Sequence, residues 1–75
     1  MTLQGITEML GGVPECARSL GVSQATLRHW MRENPRGYFK YTPELTKLMR
    51  ERMGTSRPHE ILTHAVLKRE KTLRA

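Results

Sequence analysis

The sequence predicts an all-α protein, a compact bundle of about five helices. Apolar residues recur at three- and four-residue spacing along most of the 75-residue chain, which is the spacing of one helix face. Glycines, prolines and capping residues divide this pattern into segments of helical length. Only residues 38–41 form a β-prone aromatic run, either a short strand or an extended link. A chain this short forms one domain, because it buries only about 60% of the surface that its unfolded form exposes.

Two helices are predicted in the N-terminal part of the chain. Thr2 is a suitable N-cap for the first helix, and Gly11-Gly12 ends it. Its apolar positions are Leu3, Ile6, Met9 and Leu10. The second helix opens with Val13-Pro14, where a proline removes no helical hydrogen bond, and it ends at Gly21. Its core residues fall within an arc of about 100° and are Val13, Cys16, Ala17 and Leu20.

The third helix is predicted over residues 24–33. Gly21-Val22-Ser23 precedes it, with Gly21 in a left-handed cap of the outgoing helix and Ser23 capping the incoming one. Asn34-Pro35-Arg36-Gly37 follows as a turn, because Pro35 cannot continue a helix and Gly37 tolerates a positive φ. The inner face of the third helix is Leu27, Trp30 and Met31.

The last two helices begin at proline-containing starts. Thr42 is the expected cap of the fourth helix, which ends at Gly54 and carries an apolar stripe of Leu45, Leu48, Met49 and Met53. The fifth helix starts after residues 55–58 and carries Ile61, Leu62, Ala65 and Val66. The apolar pattern fades beyond Leu67, so we expect a domain over residues 1–67 and a frayed or solvated basic tail over residues 68–75.

The charge favours a polyanionic partner. Thirteen Lys and Arg face seven Glu and no Asp, which gives a net charge of +6. No apolar run approaches the roughly 20 residues that span a bilayer, and no signal-peptide apolar segment follows the first Met, so we expect a cytoplasmic protein without membrane contact. The basic tail is expected to extend the electrostatic footprint toward nucleic acid.

Catalytic and metal chemistry find little support in the sequence. Cys16 and His29 lie too far apart for a ligand pair, and His59 and His64 do not share a helix face. Cys16 has no partner for an internal disulfide and is expected to be a small buried residue whose pKa only Arg18 would lower. We therefore expect no enzyme activity, cofactor, metal or small-molecule ligand.

Residues 13–32 carry the pattern that predicts a function. Two helices are joined here by a three-residue turn that contains Gly. In this geometry the first helix supports the second, which can lie in the major groove of DNA, about 12 Å wide. Ala17 is small where the helices would cross, Leu27 is apolar where a core is required, and Trp30 closes the rear. This arrangement predicts a helix-turn-helix whose helix 24–33 reads the major groove of double-stranded DNA.

The side chains of the outer face suit DNA contacts. Arg28 and Arg32 offer forked donors to guanine edges or phosphates, Gln24 can pair with adenine, and the Ala25 methyl group can meet a thymine methyl group. His29 lies at the edge of this face, either contacting DNA or taking no part. Ser23 and Thr26 cap the helix or contact phosphate, and three residues beyond the helix are expected to reach flanking phosphates: Arg36, Tyr38 and Lys40.

Residues 13–32 resemble the helix-turn-helix regulators of the lambda Cro and repressor type, over about 20 of the 75 residues. The matching positions are the small Ala17, Gly21 in the turn and the aliphatic Leu27. The resemblance implies a helical domain that acts as a small repressor or autoregulator of the phage or plasmid type, often as a homodimer on a palindromic operator.

A second resemblance starts at the same turn. Gly21-Val22-Ser23 through Trp30, followed by residues 37–42, looks like the mercury-resistance regulator (MerR) and excisionase group, in which a β-wing follows the reading helix. Only residues 33–36 stand where that group has a longer wing. The alternative functions are an excisionase-like architectural DNA-binding protein and a helix-turn-helix adaptor that binds other proteins.

A homodimer is expected because one reading helix contacts too few base pairs for specificity in a genome. The expected interface is the apolar stripe of the fourth or the fifth helix, formed by Leu45, Leu48 and Met49 or by Ile61, Leu62, Ala65 and Val66.

Overall fold

The structure, a computed structural model, describes residues 1–74. Its elements in chain order are α1 (Leu3–Met9), α2 (Gly12–Leu20), α3 (Gln24–Arg32), a 3₁₀ helix (Pro35–Tyr41), α4 (Thr42–Met53) and α5 (Pro58–Arg74). No strand occurs in this part of the chain. The predicted all-α bundle of five α-helices is therefore confirmed. None of the helices within residues 1–74 combines the length and the apolar character that crossing a membrane requires.

All five α-helices and the 3₁₀ helix contribute to one core. Its buried members are Leu3, Ile6, Leu10, Cys16, Ala17, Leu20, Leu27, Trp30, Tyr38, Leu45, Met49, Leu62, Ala65 and Val66. Met9 is one of the four apolar positions that predict the inner face of the first helix, but it is 49% exposed. Successive helix residues turn by 100°, so Met9 lies about 100° from Leu10, and Thr7 takes the place that faces inward.

Residues 38–41 belong to the 3₁₀ helix, so they form neither the short strand nor the extended link expected there, and the β-wing that the second resemblance implied is absent from the described residues. The aromatic side chains pack against Trp30 instead of pairing with a neighbouring strand. The ring centroids of Trp30 and Tyr38 are 5.7 Å apart, and those of Trp30 and Tyr41 are 5.5 Å apart. Tyr38 is fully buried and therefore cannot reach a phosphate as expected.

Gly37 is required by space and not by a positive φ. Its φ is not among the positive values, which in the described residues occur at Gly11, Gly12, Gly21 and Gly54. A Cβ atom at Gly37 would lie 2.2 Å from Cδ1 of Trp30, because the 3₁₀ helix crosses directly over that ring. The 3₁₀ helix therefore covers the buried side of α3 at Trp30.

Two helix ends differ from the prediction. Thr42 is the first residue of α4 and not its cap, since its hydroxyl donates to the Phe39 carbonyl at 3.0 Å. Helix α5 continues through Arg74, so residues 68–74 are not a frayed tail, and Ala75 lies outside the described residues. The extension is held because Arg69 donates to α3 carbonyls and Glu70 pairs with Arg36.

The expected dimer interface is wrong. Most residues of both stripes pack in the core of the protomer. Those that are at most 1% exposed are Leu45, Met49, Leu62, Ala65 and Val66. Leu48 and Ile61 are partly buried and pack against the same core. A second copy has no access to the five buried residues while the protomer is folded, and the two partly buried ones do not form a stripe by themselves.

Candidate nucleic-acid interface

The connection between α2 and α3 has well-defined geometry. Gly21 adopts φ +73° and ψ +29°, the left-handed conformation that glycine takes without steric cost. Its N–H donates to the Arg18 carbonyl at 3.2 Å, and the Val22 N–H donates to the Ala17 carbonyl at 3.0 Å. This pair of bonds is the Schellman motif, which satisfies the last carbonyls of a helix and turns the chain sharply. The predicted left-handed cap at Gly21 is confirmed.

Ser23 starts α3 as predicted. Its backbone is extended, and its Oγ accepts the N–H of Thr26 at 3.0 Å. The Thr26 hydroxyl shares a second hydrogen bond with the Ser23 hydroxyl at 2.8 Å. Both side chains therefore have a structural role at the first turn of α3, while the Ser23 side chain also stays exposed beside Gln24.

Helix α3 presents the predicted polar face to solvent. Leu27 and Trp30 are buried on the inner side, and Ala17 is 2% exposed on α2, the helix that packs against α3. The small side chain at Ala17 allows the two backbones to come close together. The exposed residues of α3 are Gln24, Ala25, Arg28, His29 and Arg32.

Hydrogen bonds organise this exposed face. The Arg28 guanidinium donates to Oε1 of Gln24 at 3.1 Å, one helical turn away. Nδ1 of His29 lies 3.1 Å from a carboxylate oxygen of Glu33. Arg32 makes no side-chain hydrogen bond or ion pair within residues 1–74. Arg28 and Gln24 thus form one polar unit. All the guanidinium donors of Arg32 are left for a ligand.

Two of the predicted phosphate-contacting residues do not join α3's exposed face. Arg36 is bound by both carboxylate oxygens of Glu70, at 2.5 and 3.1 Å, which balances its charge. The hydrogen bond to Arg36 lowers the pKa of the Glu70 carboxyl. Lys40 is exposed on the 3₁₀ helix, whose contact with α3 is on the buried side at Trp30. Only DNA that extends beyond the α3 face would meet Lys40.

A groove beside α3 was not predicted from the sequence. It has a volume of about 560 Å³ and lies between α1, α3 and α5. Arg28 and Arg32 line it from α3, and Lys68 lines it from α5. The sequence signal was available, since Ala65, Lys68 and Thr72 continue the helical spacing of α5 past the point where the apolar pattern fades.

Cys16 is buried between α2 and its neighbours, as predicted. Burial raises the pKa of its thiol, and the charge that opposes this shift belongs to Arg52 and not to Arg18. Arg18 instead pairs with Glu15 on the surface of α2. The thiol is therefore a packing group, because a neutral buried thiol is a poor nucleophile and a poor metal ligand.

No protein-family model matches the chain, and neither does any curated protein or solved structure. Within residues 1–74, no three His, Cys, Asp or Glu side chains are grouped closely enough to hold a metal ion. The exposed face of α3 and the adjoining groove are the part of the described surface that gathers the predicted functional residues.

Proposed function

We propose that the protein binds double-stranded DNA at specific sequences, with α3 in the major groove, and regulates transcription as a small repressor or autoregulator. The single observation that carries the proposal is an exposed basic helix held by a tight, glycine-capped turn against a bracing helix. Arg28 and Arg32 are one turn apart on this face, and neither is paired with a carboxylate in the described residues. Association with the nucleoid in the cytoplasm follows from such binding.

Each side chain has a distinct part in the proposed contact. The N-terminal end of a reading helix enters the groove most deeply, so Gln24 and Ala25 meet base edges there. The bond from Arg28 to Gln24 presents the amide and the guanidinium together, which suits adjacent base pairs. Arg32, one turn later, contacts either a guanine or the backbone that borders the groove.

Dimerisation remains part of the proposal, because one copy of α3 spans too few base pairs to define a unique site. The dimer interface lies outside the buried stripes of α4 and α5. Selection of duplexes from a random pool reports the site and its symmetry together, and a palindrome with half-sites about one helical turn apart indicates two copies of α3 on one face of the DNA.

The test compares two double variants on the selected duplex by fluorescence anisotropy. Arg28→Ala with Arg32→Ala removes the two proposed contacts, and Lys47→Ala with Arg50→Ala removes equal charge from the exposed face of α4. A good bidentate contact to a base is worth about 1–3 kcal/mol, so the α3 variant is expected to lose at least about 30-fold in affinity. The α4 variant is expected to bind nearly as the wild type does.

Two results would refute the proposal. Equal losses in both double variants would mean that binding depends only on net charge. Unchanged binding of the α3 variant, with an intact circular dichroism spectrum, would remove α3 as the reading helix. Selection that yields no preferred duplex would favour the adaptor function over DNA reading, and strong bending of the selected duplex would favour an architectural role.

A further inference from the structure

The groove beside α3 is continuous with the proposed reading face. Arg28 and Arg32 belong to both surfaces, because they line the groove and lie among the exposed residues of α3. The opposite wall is the C-terminal half of α5, which contributes Lys68 and Thr72. These two residues are four positions apart and therefore about 6 Å apart along the helix axis, so both face the same groove.

Arg69 fixes α5 against the end of α3. Its Nε donates to the Met31 carbonyl at 2.9 Å, and its Nη2 donates to the Arg32 carbonyl at 3.3 Å. These carbonyls are among the last of α3 and have no partner inside that helix. A cation at a helix C-terminus also interacts favourably with the helix dipole. The position of α5 relative to α3 is therefore set by directed bonds in addition to apolar packing.

The bonds of Arg69 leave its neighbour Lys68 as the cation that α5 presents to the groove. Lys68 is exposed and makes no ion pair within residues 1–74. Glu70, the nearest acid on α5, is occupied by Arg36 and Arg74. Glu8 is the acid that lines the groove, and its carboxylate accepts a long hydrogen bond from Gln4 on the α1 side. The charge of the groove is positive, with Lys68 facing the two arginines of α3.

We propose that the C-terminal half of α5 is a second DNA-contacting element, in which Lys68 binds a backbone phosphate of the strand that borders the major groove occupied by α3. The inference rests on the proposed function and adds a partner surface to it. The occupant of the groove is DNA backbone, because four cationic side chains line it. Two of them belong to the reading face, and Arg69 alone is already bound to the carbonyls at the end of α3. Phosphate contacts from a second element fix the orientation of a reading helix without adding base preference.

The test replaces Lys68 with Gln and uses Lys47→Gln as the matched control. Both lysines are exposed, and Lys47 lies on α4 outside the groove. Loss of one phosphate contact lowers the slope of log affinity against log salt by about 0.9, which corresponds to about an eightfold weaker affinity at 0.1 M salt. We expect this loss for Lys68→Gln on the selected duplex and on an unrelated duplex alike, and no such change for Lys47→Gln.

The outcomes separate the inference from the proposed function. If the α3 double variant loses affinity while Lys68→Gln and Lys47→Gln share one affinity and one salt slope, the assignment of α5 is overturned and the reading helix stands. If the α3 double variant binds as the wild type does, the proposed function itself fails. A change in the ratio of selected to unrelated binding in Lys68→Gln would assign Lys68 to base reading and would overturn the phosphate contact. Thermal unfolding of both lysine variants checks that the fold is intact.

Discussion

Substitution of Gly37 by Ala is expected to destabilise the protein by about 1–2 kcal/mol. The added Cβ atom would lie 2.2–2.4 Å from three atoms of the Trp30 ring, well inside ordinary van der Waals contact. The ring cannot move away freely, because Tyr38 and Tyr41 pack against it at centroid distances of 5.7 and 5.5 Å. Overpacking of a core costs about 1–3 kcal/mol, and the lower chain entropy of alanine offsets about 0.4–1 kcal/mol of it.

This loss is a large part of the total stability. A domain of 75 residues has roughly 4–11 kcal/mol at the typical stability per residue. A loss of about 1–2 kcal/mol lowers the melting temperature by roughly 4–16 °C for a domain of this size. The assay is urea unfolding followed by circular dichroism, with the fluorescence of the single Trp as a direct report on the ring.

The control for backbone effects is Gly21→Ala. Its Cβ atom would meet nothing within 4 Å, so only the left-handed φ of +73° opposes it, at a cost of about 1–2 kcal/mol. A double-mutant cycle with Trp30→Leu, measured in sucrose to keep the variants folded, isolates the clash. If Gly37→Ala costs the same with and without the indole ring, the close approach to Trp30 is not the reason for glycine at this position.

Two further predictions concern the polar groups that support α3. Burial raises the pKa of Tyr38 to about 12 in the folded state. Its contribution to stability is therefore fully present below its ordinary pKa of about 10, and it is lost as the pH rises through 12. Tyr38→Phe removes the 2.8 Å hydrogen bond to Thr7, at a cost of about 0.5–1.5 kcal/mol in the free energy of unfolding at pH 7. The stability advantage of the wild type over this variant should shrink between pH 10 and 12. A difference that stays constant in urea titrations across that range would contradict this prediction. Ser23→Ala should cost about 1 kcal/mol of stability through loss of the N-cap bond to Thr26. The control, Ser19→Ala on the exposed side of α2, should cost little. Equal unfolding midpoints of the two variants would show that the cap does not contribute to stability.

The parts of the fold that depend on local chemistry were predictable from the sequence. Thr2 and Ser23 are N-caps, and Gly21 and Gly54 take the left-handed conformation at helix ends, because each of these residues acts on backbone groups within a few positions. The exposed face of α3 was predictable for the same reason, since a helical period assigns residues to faces without knowledge of the neighbouring helices.

The errors arose where distant segments decide the structure. The aromatic run at residues 38–41 has β propensity, but in the fold it packs against Trp30 as a 3₁₀ helix, with Gly37 close to the ring. Residues 68–74 have no apolar stripe, yet polar bonds of Arg69 and Glu70 to α3 and to the 3₁₀ helix extend α5. The shared face of Ala65, Lys68 and Thr72 on α5 could be predicted from the helical period, but the groove itself could not, because three helices that are distant in sequence form it.

The acidic residues pair with some of the basic residues and leave others for the proposed DNA contact. The net charge alone does not show which basic residues are paired. Glu15 pairs with Arg18 and also lies 3.6 Å from Arg52, while Glu70 pairs with Arg36. These pairs hold the α2 surface and the end of α5, so their cations are already balanced. Of the cations that line the groove beside α3, none has a carboxylate partner, but Arg69 already donates to two backbone carbonyls. The cations left for a ligand are therefore Arg28, Arg32 and Lys68. Because a paired cation must first give up its carboxylate to bind a phosphate, the affinity for DNA and its salt dependence should follow these three side chains more closely than the net charge of +6.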